Sequence, residues 1–234
     1  RAGADVNERD SFGRAGIHVT KDPEVVRILL DAGADPNAET RLGETVLHSL
    51  PRGADENYLK LLVEDGGADI NKREFRRGQT PLMSAIVRDL DIAVRILDYS
   101  PDLNAVDNAG NGPLHYAVSL YGKPLFDGPF VENEEPKKSS RLHILLSALL
   151  EAGADPSLAN EEGQTPLHLF DVRSLVHYPE LIKLLVKFGA STEDRDSMGY
   201  TPLFRQIGKA QDLLEQHRLI KVFRKASARL HARD

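Results

Sequence analysis

The sequence predicts an all-α protein of stacked repeats, and three observations carry that prediction. Two short strings recur along the chain at a nearly fixed step, the gaps between them have room for paired short helices, and helix starts and stops sit at the same place in each copy. The first string, Gly-Ala-Asp-x-Asn, stands at Gly3–Asn7, Gly33–Asn37 and Gly67–Asn71, with Gly-Ala-Asp-Pro-Ser at Gly153–Ser157 and weaker copies at Ser100–Asn104 and Gly189–Glu193. The second, Gly-x-Thr-Pro-Leu, stands at Gly78–Leu82, Gly163–Leu167 and Gly199–Leu203, with degenerate copies at Gly13–Ile17, Gly43–Leu47 and Gly110–Leu114. The leading glycines of the second string step by 30, 35, 32, 53 and 36 residues, so a single insertion interrupts the period.

Each element follows from local chemistry. Thr80-Pro81, Thr165-Pro166 and Thr201-Pro202 place a side-chain acceptor at the N-cap and a pre-set φ at the first helical position. Between Leu47 and Gly67, or Leu82 and Ser100, two helices of two to three turns fit. The second of each pair is the apolar one, with Val25, Val26, Ile28, Leu29 and Leu30 in one copy and Leu181, Ile182, Leu184, Leu185 and Val186 in another. Helices this apolar are expected to be buried between neighbours. Gly33, Gly67, Gly153 and Gly189 then supply a left-handed C-cap, and the Asp and Asn that follow turn the chain into a loop.

These strings resemble the ankyrin repeat, whose marks are a Thr-Pro-Leu-His start and a Gly-Ala-Asp turn at a period of about 33 residues. The resemblance covers essentially the whole chain. It implies an elongated, curved solenoid of about six helix–turn–helix repeats joined by β-hairpin fingers. The expected organisation is a single domain over 1–234. Its repeats fall at about 8–37, 38–71, 72–104, 105–157, 158–193 and 194–234, with an insertion at 121–140. Residues 1–7 read as the tail of a truncated repeat, and because Arg1 opens inside a motif, further repeats are expected upstream.

The family resemblance also implies protein–protein recognition through fingers and first helices on a concave face. Mapped onto this chain, the variable positions of that face are Phe12, Arg41, Leu42, Phe75, Arg76, Arg77, Arg88, Tyr116, Arg173 and Met198. His18, His48, His115 and His168 occupy the last place of the Thr-Pro-Leu-His string, a structural position in that family. The finger asparagines Asn7, Asn37, Asn71 and Asn104 resemble sites that asparaginyl hydroxylases modify there.

Three departures from the period stand out. Leu114 to Gly153 is 39 positions, about 20 more than the family spacing. The excess at 121–140 holds Leu125, Phe126, Phe130 and Val131, either as a solvated insertion or as a loop that docks on a partner or on its own solenoid. The third finger, Asn71 to Gly78, is one residue longer than its neighbours and carries Lys72, Arg73, Arg76 and Arg77 around Phe75. That composition suits recognition of an acidic partner segment, the alternative being a solvated tip. After Arg205 the turn motif does not return. Residues 205–234 hold eight Lys/Arg against Asp212, Glu215 and Asp234, a charge of +5 that leaves −11 on residues 1–204 of the total −6. Leu213, Leu214, Ile220, Phe223 and Leu230 recur near helical spacing. The segment is therefore a capping helix, or a basic helix that reaches nucleic acid, an anionic membrane or an acidic partner. Ala15-Gly16 and Gly112 replace the Thr cap in two copies, each at a cost on the order of 1 kcal/mol, so the N-terminal repeat is expected to fray first.

Composition adds exclusions. The chain of 234 residues has no Cys and no Trp, 41% apolar and 28% charged residues. It therefore has neither a disulfide framework nor a thiolate nucleophile, and no apolar run approaches the roughly 18 residues that span a bilayer. Gly110-Asn111-Gly112 is a finger turn and not a phosphate cradle, since no Lys-Ser/Thr follows. Carboxylates are scattered among turns, and no His pair has metal spacing. The reading is an intracellular, non-enzymatic scaffold or adaptor with no cofactor and no small-molecule substrate, binding a protein partner. The alternatives are the recognition or regulatory part of a larger enzyme, and nucleic-acid or acidic-surface binding through the basic C-terminal helix, which the −11 of the repeats opposes.

Overall fold

The Thr-Pro and Gly-Ala punctuation sets the helix ends in the structure, a computed structural model that describes residues 3–120, 135–170, 179–210 and 212–230. The chain forms two compact units, Arg1–Asn108 and Ala109–Asp234. The first unit holds α1 (Gly16–Val19) and α2 (Pro23–Asp31), a 3-10 turn over Val46–Ser49 with α3 (Glu56–Lys60), and α4 (Pro81–Arg88) with α5 (Leu90–Ile96). α1 packs on α2 and on the Val46–Ser49 turn, which in turn packs on α4, and α4 packs on α5. α3 runs on through a wider turn at Leu61–Asp65, where the Gly66 N–H reaches back five residues to the Leu61 carbonyl at 2.9 Å.

The second unit holds α6 (Pro113–Ser119) and α7 (Glu135–Glu151), α8 (Pro166–Leu169) and α9 (Pro179–Lys187), and α10 (Pro202–Ile207) and α11 (Leu213–Leu230). α6 packs on α7 and α8, α8 on α10, α7 on α9, and both α9 and α10 on α11. In each unit the core lies between the two members of a pair and between successive pairs. Leu47, Leu59, Leu62, Leu82 and Ile96 are buried in the first unit, and Leu145, Leu149, Leu167, Phe170 and Ile182 in the second. Each such side chain contributes about 1.5–3 kcal/mol of burial.

Polar side chains join successive repeats. In His18, His48, His115 and His168, Nδ1 accepts the backbone N–H three residues earlier at 3.0–3.1 Å. That leaves the proton on Nε2, which donates to the carbonyl of Ala38, Gln79, Gln164 or Tyr200 in the following repeat at 2.9–3.1 Å. The finger asparagines do the same at the other end. Asn7 donates to the Gly33 carbonyl and accepts from Asp35 N–H, and Asn37 repeats the pattern on Gly67 and Asp69.

Several expectations change. No strand forms among the described residues: the Asp10, Thr40, Glu74, Asn160 and Asp196 fingers each close with one backbone hydrogen bond across the hairpin and one within the turn, too few for a ladder. α2 is not buried all round: Val26 is, but Val25 and Ile28 are exposed, because residues 3–7 place only a loop beside it. α7 already begins at Glu135, so the last six residues of the expected insertion are helical, while 121–134, with Leu125, Phe126, Phe130 and Val131, lies outside the described residues. On α11, Leu219, Phe223 and Ala226 face inward, whereas Leu213, Leu214 and Ile220 are exposed. The buried stripe therefore runs one face away from most of the residues picked out by spacing.

Candidate protein-binding surface

The fingers are small closed rings, each held by an acceptor side chain at its first residue. Asp10 accepts from Phe12 and Arg14 N–H at 2.8 and 2.9 Å, Thr40 from Leu42 and Glu44 N–H at 3.3 and 3.2 Å, and Asp196 from Met198 and Tyr200 N–H at 2.9 Å each. The third finger is one residue longer and uses a side chain one methylene longer. Buried Glu74 accepts from Arg76, Arg77 and Gln79 N–H at 2.7, 2.6 and 3.2 Å. Three convergent donors suit a carboxylate. Nothing in the spacing singles out Glu74, and the only hint is an acid at the head of an elongated turn.

Backbone bonds then tie tip to tip: Arg41 N–H donates to the Phe12 carbonyl at 3.0 Å and Phe75 N–H to the Leu42 carbonyl at 2.8 Å. Close approach explains why glycine ends the turn. Gly43 has φ 78°, and a Cβ there would stand 2.6 Å from the Phe75 ring. Phe12, Leu42 and Phe75 thus follow one another along the tips of the first unit, 65%, 48% and 65% exposed. The Arg14 guanidinium lies 5.0 Å from the Phe12 ring centroid.

The cations of the third finger divide. Lys72 Nζ pairs with Glu39 at 2.6 Å, a hydrogen bond and ion pair that hold the ammonium pKa above its usual value. Arg73 is engaged by the Gly78 carbonyl at 3.0 Å and Asn108 at 3.2 Å. Only Arg76 and Arg77 of the four present guanidinium groups without a partner among the described residues, and Arg41 does so on the neighbouring finger. The expectation of four available cations is corrected to two.

The remaining candidates are not among these tips of the first unit. Arg88 closes α4 and donates to the His48 carbonyl at 2.9 Å. In the second unit, Tyr116 is half-buried on α6, and Met198 is exposed at the tip of the Asp196 finger. There Arg205 pairs with Asp196 and, at 3.7 Å, with Glu162. Burial pushes the Asp196 carboxyl up, but Tyr200 N–H, Arg205 and Met198 N–H together bring it below the ordinary value of 3.8. Arg173 lies outside the described residues. Among the described residues no group of three His, Asp or Glu could hold a metal ion, and no helix is long and apolar enough to cross a membrane.

A family model for ankyrin repeats matches residues 12–107 and 52–124. The human ankyrin repeat and SOCS box protein 16 is 30% identical over 216 residues, 91% of this chain and 44% of that protein. The mouse B-cell lymphoma 3 protein homolog is 30% identical over 193 residues, 74% of this chain and 43% of that protein. The chain thus spans less than half the length of these relatives. The crystal structure of the ankyrin repeat domain of Bcl-3 superposes with a TM-score of 0.70 at 25% identity, covering 95% of this chain and 87% of that one. Punctuation, interlocking histidines and these matches agree, and the chain belongs to the ankyrin-repeat family.

Proposed function

We propose that the chain is a protein-interaction scaffold that grips a segment of a partner across the finger tips of its first unit. Ankyrin repeats mediate protein–protein interaction, and the observation that carries the finer reading is the file of Phe12, Leu42 and Phe75. Three large apolar side chains on successive tips, locked in register by backbone bonds, form a pre-organised edge, which reduces the ordering cost of binding. Arg41, Arg76 and Arg77 beside them favour carboxylates, so the partner segment combines apolar anchors with acidic residues. Arg88 in the first unit, and Tyr116 and Met198 in the second, are further candidate contacts in this reading, and contribute less because Arg88 is tethered, Tyr116 is half-buried and Met198 is carried by a finger of the second unit. The chain acts as a single interaction domain without a catalytic centre or cofactor of its own.

The test compares partners captured by the wild-type chain in proximity labelling and pull-down with those of Phe75→Ala/Arg76→Glu/Arg77→Glu, after matching circular dichroism. Selective loss of a partner is the expected result. If every partner survives at wild-type yield, the third finger is not a recognition element.

A further inference from the structure

A second surface lies on α11. Its inward face is occupied, since Leu219, Phe223 and Ala226 are buried where α11 packs on α9 and α10. On the outward face Leu214, Arg218, Lys221 and Lys225 follow one another at spacings of four, three and four residues, which lines them up as one stripe of a helix. All four are exposed, and none of the three cations has an ion-pair partner among the described residues. At the head of the stripe Leu213 and Leu214 stand 82% and 58% exposed.

We propose that this outward face docks an acidic helix of a partner protein, with carboxylates opposite Arg218, Lys221 and Lys225 and an apolar side chain against Leu214. The charge pattern selects the chemistry. Three cations at helical spacing match carboxylates on a facing helix at the same spacing, and opposite charge steers the encounter. The −11 carried by residues 1–204 acts against any anionic ligand alike, and a nucleic acid fits less well because the exposed Leu213 and Leu214 have nothing apolar to meet on a phosphate backbone. An anionic membrane fits less well too, because the apolar face that would insert is already used against α9 and α10. The surface is independent of the finger tips, so its failure and theirs are separable.

The experiment titrates the full chain into a fluorescein-labelled helical peptide of Glu, Leu and Ala as long as α11, with a single-stranded oligodeoxynucleotide and phosphatidylserine–phosphatidylcholine vesicles as parallel probes. The peptide is expected to bind most tightly. Its affinity should fall roughly tenfold or more in Arg218→Glu/Lys221→Glu and weaken again in Leu214→Ser, while Phe75→Ala leaves it unchanged. Should the reversed variant lose its fold by circular dichroism, Lys221→Gln/Lys225→Gln replaces it, with a loss of roughly threefold expected. No peptide binding, binding insensitive to these substitutions, tighter binding of oligonucleotide or vesicles, or a dimer of the free chain that Lys221→Glu dissolves, each overturns the proposal.

Discussion

At the scale of single residues, Glu74 shows how one side chain sets the shape of a recognition loop. Its carboxylate gathers three N–H groups that an extra residue would otherwise leave loose, which aims Phe75, Arg76 and Arg77 outward. Glu74→Ala is expected to cost about 1–3 kcal/mol in urea denaturation, and Glu74→Asp, one methylene short, should recover less than half of it. A variant as stable as wild type would show that the carboxylate is idle. Ser100 makes the opposite case: it holds the place that glycine takes in other repeats, at φ 51°. Ser100→Gly relieves the Cβ clash of that conformation, and a gain of roughly 0.5–1 kcal/mol is expected in the same assay. Unchanged or reduced stability would mean that the turn is not strained.

The histidines give a pH dependence. Burial, the foremost cause, holds His48 and His168 below the ordinary value of 6.5, against the opposing pull of backbone carbonyls and nearby carboxylates. Protonation at Nδ1 would also turn an acceptor into a donor facing a backbone N–H. With the folded pKa depressed, the unfolded chain takes up protons first as pH falls. The stabilising contribution is therefore complete above 6.5 and is lost as pH drops through the folded values. Urea midpoints that do not decrease between pH 7.5 and pH 5 would contradict this window.

At the scale of elements, α11 separates what spacing indicates from what packing selects. An amphipathic pattern with several overlapping stripes does not by itself say which stripe meets the neighbouring helix, and α9 and α10 choose the one through Leu219 and Phe223. Leu219→Ala is expected to cost about 2–5 kcal/mol, while Leu213→Ala should stay within about 0.5 kcal/mol, both read from thermal or urea unfolding. Equal costs would mean that the helix is not docked as described. α2 is the mirror case, since its sequence is as apolar as that of α9 but Ile28 has no neighbour to cover it.

At the scale of the molecule, stability is expected to be graded along the chain. α1 has four residues and no side-chain cap at Ala15, and it packs on an α2 whose outer side is open. Hydrogen exchange should show the amides of α1 and α2 exchanging before those of α4 and α5. Protection of the N-terminal repeat equal to that of the third would refute the gradient. Charge is also uneven, −11 up to residue 204 and +5 beyond it, so the final helix is the basic segment of an otherwise acidic chain.

The sequence by itself determined the repeat, the helix starts at Thr-Pro and the stops at Gly-Ala. These depend on the φ preference or capping group of residues within one turn of one another, and such chemistry repeats with the string. Only the tertiary structure decided which side chains remain available for a partner. Lys72 is taken by Glu39, Arg73 by Asn108 and Arg88 by the His48 carbonyl, each across more than thirty positions of chain, while Arg76 and Arg77 are left outward by Glu74. Those pairings arise when neighbouring repeats stack, and contacts between residues a whole period apart leave no mark in the local pattern of either one.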